Sequence, residues 1–414
     1  MISILQQTVS ENRTLFLVLL GAFMVRMAAG LLLVDLEEAY YWEYGEIAKN
    51  LNTGKGYSLY HFDGGVPTIK YSEGSSPAPS AFMPPGYVVV IWAFLQIEDP
   101  VMRNLLLMTL QSFFGVIVVL LVFKLTYKYF DPRAAFLASL IAGFLPEFVY
   151  ASTSFTPTVF FHLGIMALIL STYEFCSSPT KGQIIMIAFL SSSLIYLRPE
   201  SLLYIFFLIA FLGWKVGSRR ALLISSIIAL TLLPWQVRNF LVFDSFVPIT
   251  TSSGLNLFRG NNDVQVGAWF DQNVTREIRE INQDYQFEVN LNKLYLRHAL
   301  NFMVEHPQKL ISNLAYKFHS FWIWSPDDER SQHPLYFIPW LFLLLGSILG
   351  LRQLQPRKYT IVFGYLAACT IVALIFFVLP RYQTMMKIAS VPFAAVGLSY
   401  LYSWLRLKLA KIRN

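Results

Sequence analysis

Only 14% of the 414 residues are charged, while 55% are hydrophobic and 16% aromatic. A soluble chain carries roughly a quarter charged residues, so this composition excludes a soluble globular domain. The net charge of +7 does not point to nucleic acid, because the positive residues fall in short clusters between apolar blocks.

Taken in order, the apolar blocks are 14–34, 105–123, 134–148, 159–175, 184–197, 201–214, 221–233, 336–351, 361–379 and 390–405. Most are long enough to cross a hydrocarbon core of about 30 Å as helices. Blocks 184–197 and 201–214 need their polar flanks to do so. The expectation is an all-α polytopic membrane protein of about ten spans, forming one domain over 1–414. Arg26 interrupts the first block and no positive stretch precedes it. That reads as a retained span rather than a cleaved signal peptide. Lys124, Lys128 and Arg133, then Lys215, Arg219 and Arg220, then Arg352, Arg357 and Lys358, and finally Arg406, Lys408, Lys411 and Arg413 all fall on one side if each block crosses once. By the positive-inside rule that side is cytoplasmic, with both termini on it, in an inner or plasma membrane.

Two long stretches map to the opposite, extracytoplasmic side. The first, 35–104, holds nine acidic and four basic residues. Within it 37–51 has helical composition, ending at Asn52-Thr53-Gly54. A tract with Gly64, Gly65, Pro67, Gly74, Pro77 and Pro79 reads as an irregular loop. Residues 87–97, introduced by Met83-Pro84-Pro85-Gly86, are too short to span and read as a helix at the interface. The second stretch, 234–334, contains an amphipathic helix over 276–303 and another over 308–324, with aromatics suited to a membrane boundary. Cys176 and Cys369 imply no disulfide, and no Cys/His metal spacing occurs.

Charged residues at external span ends are the candidates for chemistry. Asp35, Glu37 and Glu38 directly follow the first span. A carboxylate there could be a general base; the simpler reading is a solvated helix cap. Arg198, Arg238 and Arg381 stand at span ends, with Lys70 in the first loop. Guanidinium groups grip phosphate through paired hydrogen bonds; each alone more often snorkels or pairs with a neighbour such as Glu200, and their shared side is what favours the functional reading. Glu147, after Pro146, is a further candidate acid. His162 fits a hydrogen bond inside the bundle. The Gly/Asn turn around 254–262 lacks the strand–helix setting of a nucleotide-binding loop.

Glu37-Glu38-Ala39-Tyr40-Tyr41-Trp42 resembles the Asp-Glu-Ala-Tyr-Tyr-Trp signature that follows the first span of GT-C glycosyltransferases, such as the protein O-mannosyltransferases and the lipid A aminoarabinose transferase. The resemblance continues through Ile47-Ala48-Lys49-Asn50-Leu51, Gly54-Lys55-Gly56-Tyr57, Pro84-Pro85-Gly86-Tyr87, Leu197-Arg198-Pro199, Pro234-Trp235-Gln236-Val237-Arg238-Asn239, Gly260-Asn261-Asn262 and Arg381-Tyr382. It implies a GT-C bundle with juxtamembrane helices in the first external loop. It also implies transfer of a hexosyl or pentosyl group from a polyprenyl-phosphate donor at the external face, with inversion. Glu37 then occupies the family's aspartate position and Glu38 its partner, with Asp35 two residues upstream. Arg198, Arg238 and Arg381 would meet the lipid phosphate. Thr156 stands where the family often has a second acid, and Glu147 is the substitute.

The acceptor stays open among lipid, glycan and protein. No cofactor is required, although the loop carboxylates could take a divalent metal. Two other readings are an O-antigen ligase or polymerase, for which the acidic cluster would be out of place, and a lipid-linked glycan transporter or flippase. Transport predicts polar sites at the membrane midplane in paired halves, and the sequence shows no repeat.

Overall fold

A computed structural model describes residues 13–62, 67–70, 76–264, 266–267 and 272–413. Gly64, Gly65 and Gly74 of the expected irregular tract lie outside the described residues. Each of the ten apolar blocks forms helix: α1 (Arg13–Leu33), α4 (Pro100–Leu125), α5 (Ala135–Phe144) with α6 (Pro146–Thr153), α7 (Thr158–Ser177), α8 (Lys181–Leu197), α9 (Leu202–Val216), α10 (Ser218–Phe243), α16 (Pro334–Gln353), α17 (Thr360–Ile375) and α18 (Pro380–Arg413). Among the described residues, eight helices are long and apolar enough to cross a membrane. The bent pair α5–α6, which turns by 46°, makes a ninth if it is counted as one span. The remaining block, α8, has 17 residues, about 25 Å of helix. The chain is a multi-pass membrane protein.

Local chemistry sets these boundaries. Asp99 opens α4 by accepting from the Met102 amide at 2.6 Å, and Thr180 and Gln183 form a capping box at the start of α8. Pro146 breaks the third span because it has no N–H to continue the ladder. The carbonyls freed there are taken by Arg26 of α1, whose guanidinium donates to Gly143 O at 2.7 Å and Ala142 O at 3.1 Å. The arginine that interrupts the first apolar block is therefore a buried cap for a broken helix. Between helices, lipid removes most of the hydrophobic drive, so close backbone approach matters more. Helices α16 and α18 cross at Gly350 and Gly397; a Cβ at Gly350 would stand 2.0 Å from Phe393 O, and one at Gly397 would stand 2.0 Å from Gly346 O.

The remaining helices form the two loop elaborations: α2 (Trp42–Asn52) and α3 (Pro85–Phe94) in the first, and α11 (Ser253–Gly260), α12 (Gln272–Ile278), α13 (Phe287–Glu305), α14 (Pro307–Trp322) and α15 (Glu329–Gln332) in the second. Two sequence expectations shift here. Helix α10 runs through Pro234 to Phe243, so the second loop opens at Asp244. The amphipathic stretch expected over 276–303 is two helices, parted where Asn282, Gln283 and Asp284 favour a turn. Both loops pack at one end of the bundle, around a core of Ile47, Tyr87, Phe258 and Phe287. The basic clusters collect at the other end, where Lys128 pairs with Glu174 at 3.1 Å and the Tyr173 hydroxyl donates to Lys358 O at 3.1 Å.

Candidate active site

At the loop end, four chain-distant elements meet around the first turn of α2. Trp42 begins that helix at φ 57, a left-handed conformation that is an outlier for a bulky side chain. The neighbours hold it there. Tyr41 donates its hydroxyl to Asn104, Arg103 Nε reaches the same hydroxyl at 3.2 Å, and the Asn104 amide donates to Leu36 O at 2.7 Å. Such strain costs on the order of 1–3 kcal/mol and tends to gather at functional sites. Here it places the Trp42 ring 5.6 Å from the Arg381 guanidinium.

Arg381 is the second residue of α18, after Pro380. It is exposed and also lies 5.5 Å from the Tyr382 ring. Arg198 caps α8 where Pro199 stops the helix, and it sits 5.0 Å over the same Tyr382 ring. Its Nε donates to Glu200 at 2.6 Å. A third guanidinium, Arg259, comes from the last turn of α11, buried 4.0 Å over Phe377. Burial lowers its pKa to about 10, Tyr382 opposes this, Arg381 adds to it and Glu43 opposes it. Tyr44 reports the same neighbourhood. Its pKa is raised first by burial, then modulated by Arg198, Glu200, Glu43 and Arg381. One tyrosine on α2 thus feels charges from the first loop, the α8–α9 hairpin and the last span.

Asp35, Glu37 and Glu38 are all exposed. Asp35 Oδ1 accepts from the Glu37 and Glu38 amides at 2.9 and 3.2 Å, a local turn. The carboxylates acting on Tyr44 are Glu200 and Glu43, and the one acting on Arg259 is Glu43. Glu147 is buried in the bundle, paired with Lys387 of α18 at 2.6 Å. That ammonium also lies 4.0 Å from the Tyr336 ring and 4.7 Å from the Trp340 ring.

Of the expected phosphate ligands, Arg198 and Arg381 come together. Arg238 is engaged by the first loop. Its guanidinium donates to Ser80 O at 2.7 Å, Tyr57 O at 2.9 Å and Asn239 Oδ1 at 3.0 Å, between the rings of Tyr57, Trp235 and Phe243. It pins the first loop to α10. Lys70 is exposed, and its backbone amide donates to Thr68 Oγ1 at 3.3 Å. The sequence reading passed over Glu43 and Arg259. The available signals were an acid set between two aromatics in Trp42-Glu43-Tyr44, and an arginine directly before Gly260-Asn261-Asn262.

Residues 83–236 match the family described as dolichyl-phosphate-mannose-protein mannosyltransferase. Among solved structures, the Archaeoglobus fulgidus oligosaccharyltransferase in complex with Zn and sulfate superposes with a TM-score of 0.56 at 15% identity, over 96% of this chain and 50% of that one. The same organism's AglB, in complex with an inhibitory peptide and a dolichol-phosphate, gives 0.51 at 13% identity, over 95% and 51%. ArnT from Cupriavidus metallidurans bound to undecaprenyl phosphate gives 0.41 at 12% identity, over 92% and 77%. A search of curated proteins finds no match. The chain spans about half the length of the archaeal structures, and it has a GT-C-type fold.

Proposed function

We propose that this protein is a membrane glycosyltransferase that moves a sugar from a polyprenyl-phosphate donor to an acceptor hydroxyl or amine at the extracytoplasmic face. The observation that carries the reading is the meeting of Arg198, Arg259 and Arg381 beside Glu43, at the bundle end opposite the basic clusters. The positive-inside rule puts those clusters, and both termini, in the cytoplasm. Guanidinium groups over aromatic rings at a membrane surface suit a phosphate whose lipid tail stays in the bilayer. In the reaction the acceptor attacks the anomeric carbon and its proton passes to a carboxylate. The bond from that carbon to the phosphate oxygen breaks, and the electron pair leaves on the lipid phosphate, where the arginines stabilise it. Attack opposite the leaving phosphate inverts the anomeric centre.

Glu43 is the base we favour, because its charge reaches Arg259 and, with Arg198 and Arg381, acts on Tyr44. Asp35, Glu37 and Glu38 remain the competing set, five to eight residues earlier in the chain. The reading calls on no cofactor. Sugar and acceptor are open to assay: membranes containing the protein are incubated with labelled polyprenyl-phosphate sugars and the label is followed. Transfer that requires Glu43 supports the reading; label that never leaves the lipid in any donor contradicts it.

A further inference from the structure

The last turn of α17 leaves carbonyl groups without intrahelical partners, and two distant side chains take them. Asn261, just beyond α11, donates its amide to Ile375 O at 2.9 Å and to Leu257 O at 2.8 Å. Lys317 of α14 donates its ammonium to Asn261 Oδ1 at 3.0 Å and to Leu374 O at 2.9 Å. The approach is close enough to require glycine at 260, where a Cβ would stand 1.9 Å from Phe376 O and 3.1 Å from Lys317 Nζ. From this clasp the chain runs through Phe376 and Phe377 to Pro380 and Arg381. Phe377 is the ring under Arg259, and it lies 5.6 Å from the Tyr382 ring. Everything between the clasp and Arg381 is therefore a short tether to the candidate site.

Lys317 is fully buried. Burial alone brings its pKa down to about 8, with no neighbouring charge contributing. An ammonium in that position is costly, so the lysine is an expensive way to fill space. What it supplies is several donors at once, enough to join a side-chain amide to a helix-end carbonyl.

We propose that Lys317 is a positioning residue for the phosphate site: by tying Asn261 to Leu374 O it fixes the tether that sets Arg381 relative to Arg259. This rests on reading those arginines as phosphate ligands. The test uses the purified full chain with Lys317→Met, Asn261→Ala and the double variant. Three quantities are measured: affinity for undecaprenyl phosphate, donor KM and kcat in transfer, and hydrogen exchange of residues 376–382. We expect each single variant to raise donor KM and weaken lipid-phosphate binding about tenfold, the equivalent of one lost hydrogen-bonded contact. The kcat should stay within about threefold, exchange of 376–382 should speed up, and the double variant should be no worse than the worse single, as residues acting through one contact behave. A fall in kcat at unchanged KM, multiplying losses, or unaltered exchange would each overturn the proposal. If the wild-type protein binds no lipid phosphate, the phosphate reading fails. The exchange measurement still decides whether Lys317 holds the tether. Should Lys317→Met not fold, Asn261→Ala alone is decisive, since unchanged exchange and KM in that variant sink the idea.

Discussion

Charges inside the bundle and charges at its loop end are used differently. Inside, Arg26 is committed to the carbonyls of a broken helix, and Glu147 and Lys387 neutralise each other in full burial. At the loop end, Arg381 is exposed over two aromatic rings, with Arg198 and Arg259 over rings close by. The first arrangement holds helices together. The second puts one exposed guanidinium, that of Arg381, at a surface where an anion can approach. Charge in a membrane protein is thus no index of function by itself; what matters is whether it stands where an anion can reach it.

The largest effect should separate two acidic positions in the first loop. Glu43→Gln is expected to cut transfer from a polyprenyl-phosphate sugar by about 10²–10⁴-fold, the usual worth of a general base. Asp35→Asn, Glu37→Gln and Glu38→Gln should each change it less than about threefold, because their side chains stand in solvent. Full activity in Glu43→Gln, with loss in one of the others, would return the base to the exposed trio. Next come the interior charges. Lys387→Met leaves Glu147 buried without a countercharge, which should cost about 3–5 kcal/mol; the double variant with Glu147→Gln should recover much of it. Thermal unfolding in detergent distinguishes these, and an additive double variant would mean the pair is not coupled.

A pH test probes how the two loops are joined. Glu288 accepts from the Ala81 amide at 2.9 Å and from Thr251, linking the first loop to the second. Burial raises its pKa to about 7, against hydrogen bonds from Thr251 and Ala81 that lower it. The folded value lies above the unfolded one, so the folded state binds this proton more tightly. Its contribution is present in full below about pH 4.5 and disappears as pH rises through about 7, an effect of at most about 3 kcal/mol. Glu288→Gln should flatten the melting temperature over that window; an unchanged slope would assign it to other groups. The last prediction contrasts two arginines. Arg381→Ala should weaken donor binding by about 1.5–3 kcal/mol with little change in melting temperature. Arg238→Ala should lower the melting temperature and leave donor affinity nearly intact in the protein that stays folded.

Much of the architecture was legible because lipid imposes a length on every apolar block, so each of the ten blocks became helix. The bend between α5 and α6 was only half visible. Pro146 marks where the ladder fails, but nothing nearby shows that Arg26, more than a hundred residues earlier, caps the break. The site was legible as a set of arginines and acids at one end, and less so in its membership. Arg238 sits in a motif as suggestive as that of Arg381, yet the sequence cannot show that Ser80 O and Tyr57 O pass beneath it. Glu43 hid for the opposite reason. Within an amphipathic helical stretch an acid looks like surface, until the turn at Trp42 orients its helix toward the arginines.

The most direct measurement is an experimental structure of the full chain with a polyprenyl phosphate bound. The account predicts the phosphate within hydrogen-bond distance, about 3 Å, of Arg381 and at least one of Arg198 and Arg259, with Glu43 facing the same space. A phosphate held instead by Lys70 or Arg238, with Arg381 left in solvent, would contradict it.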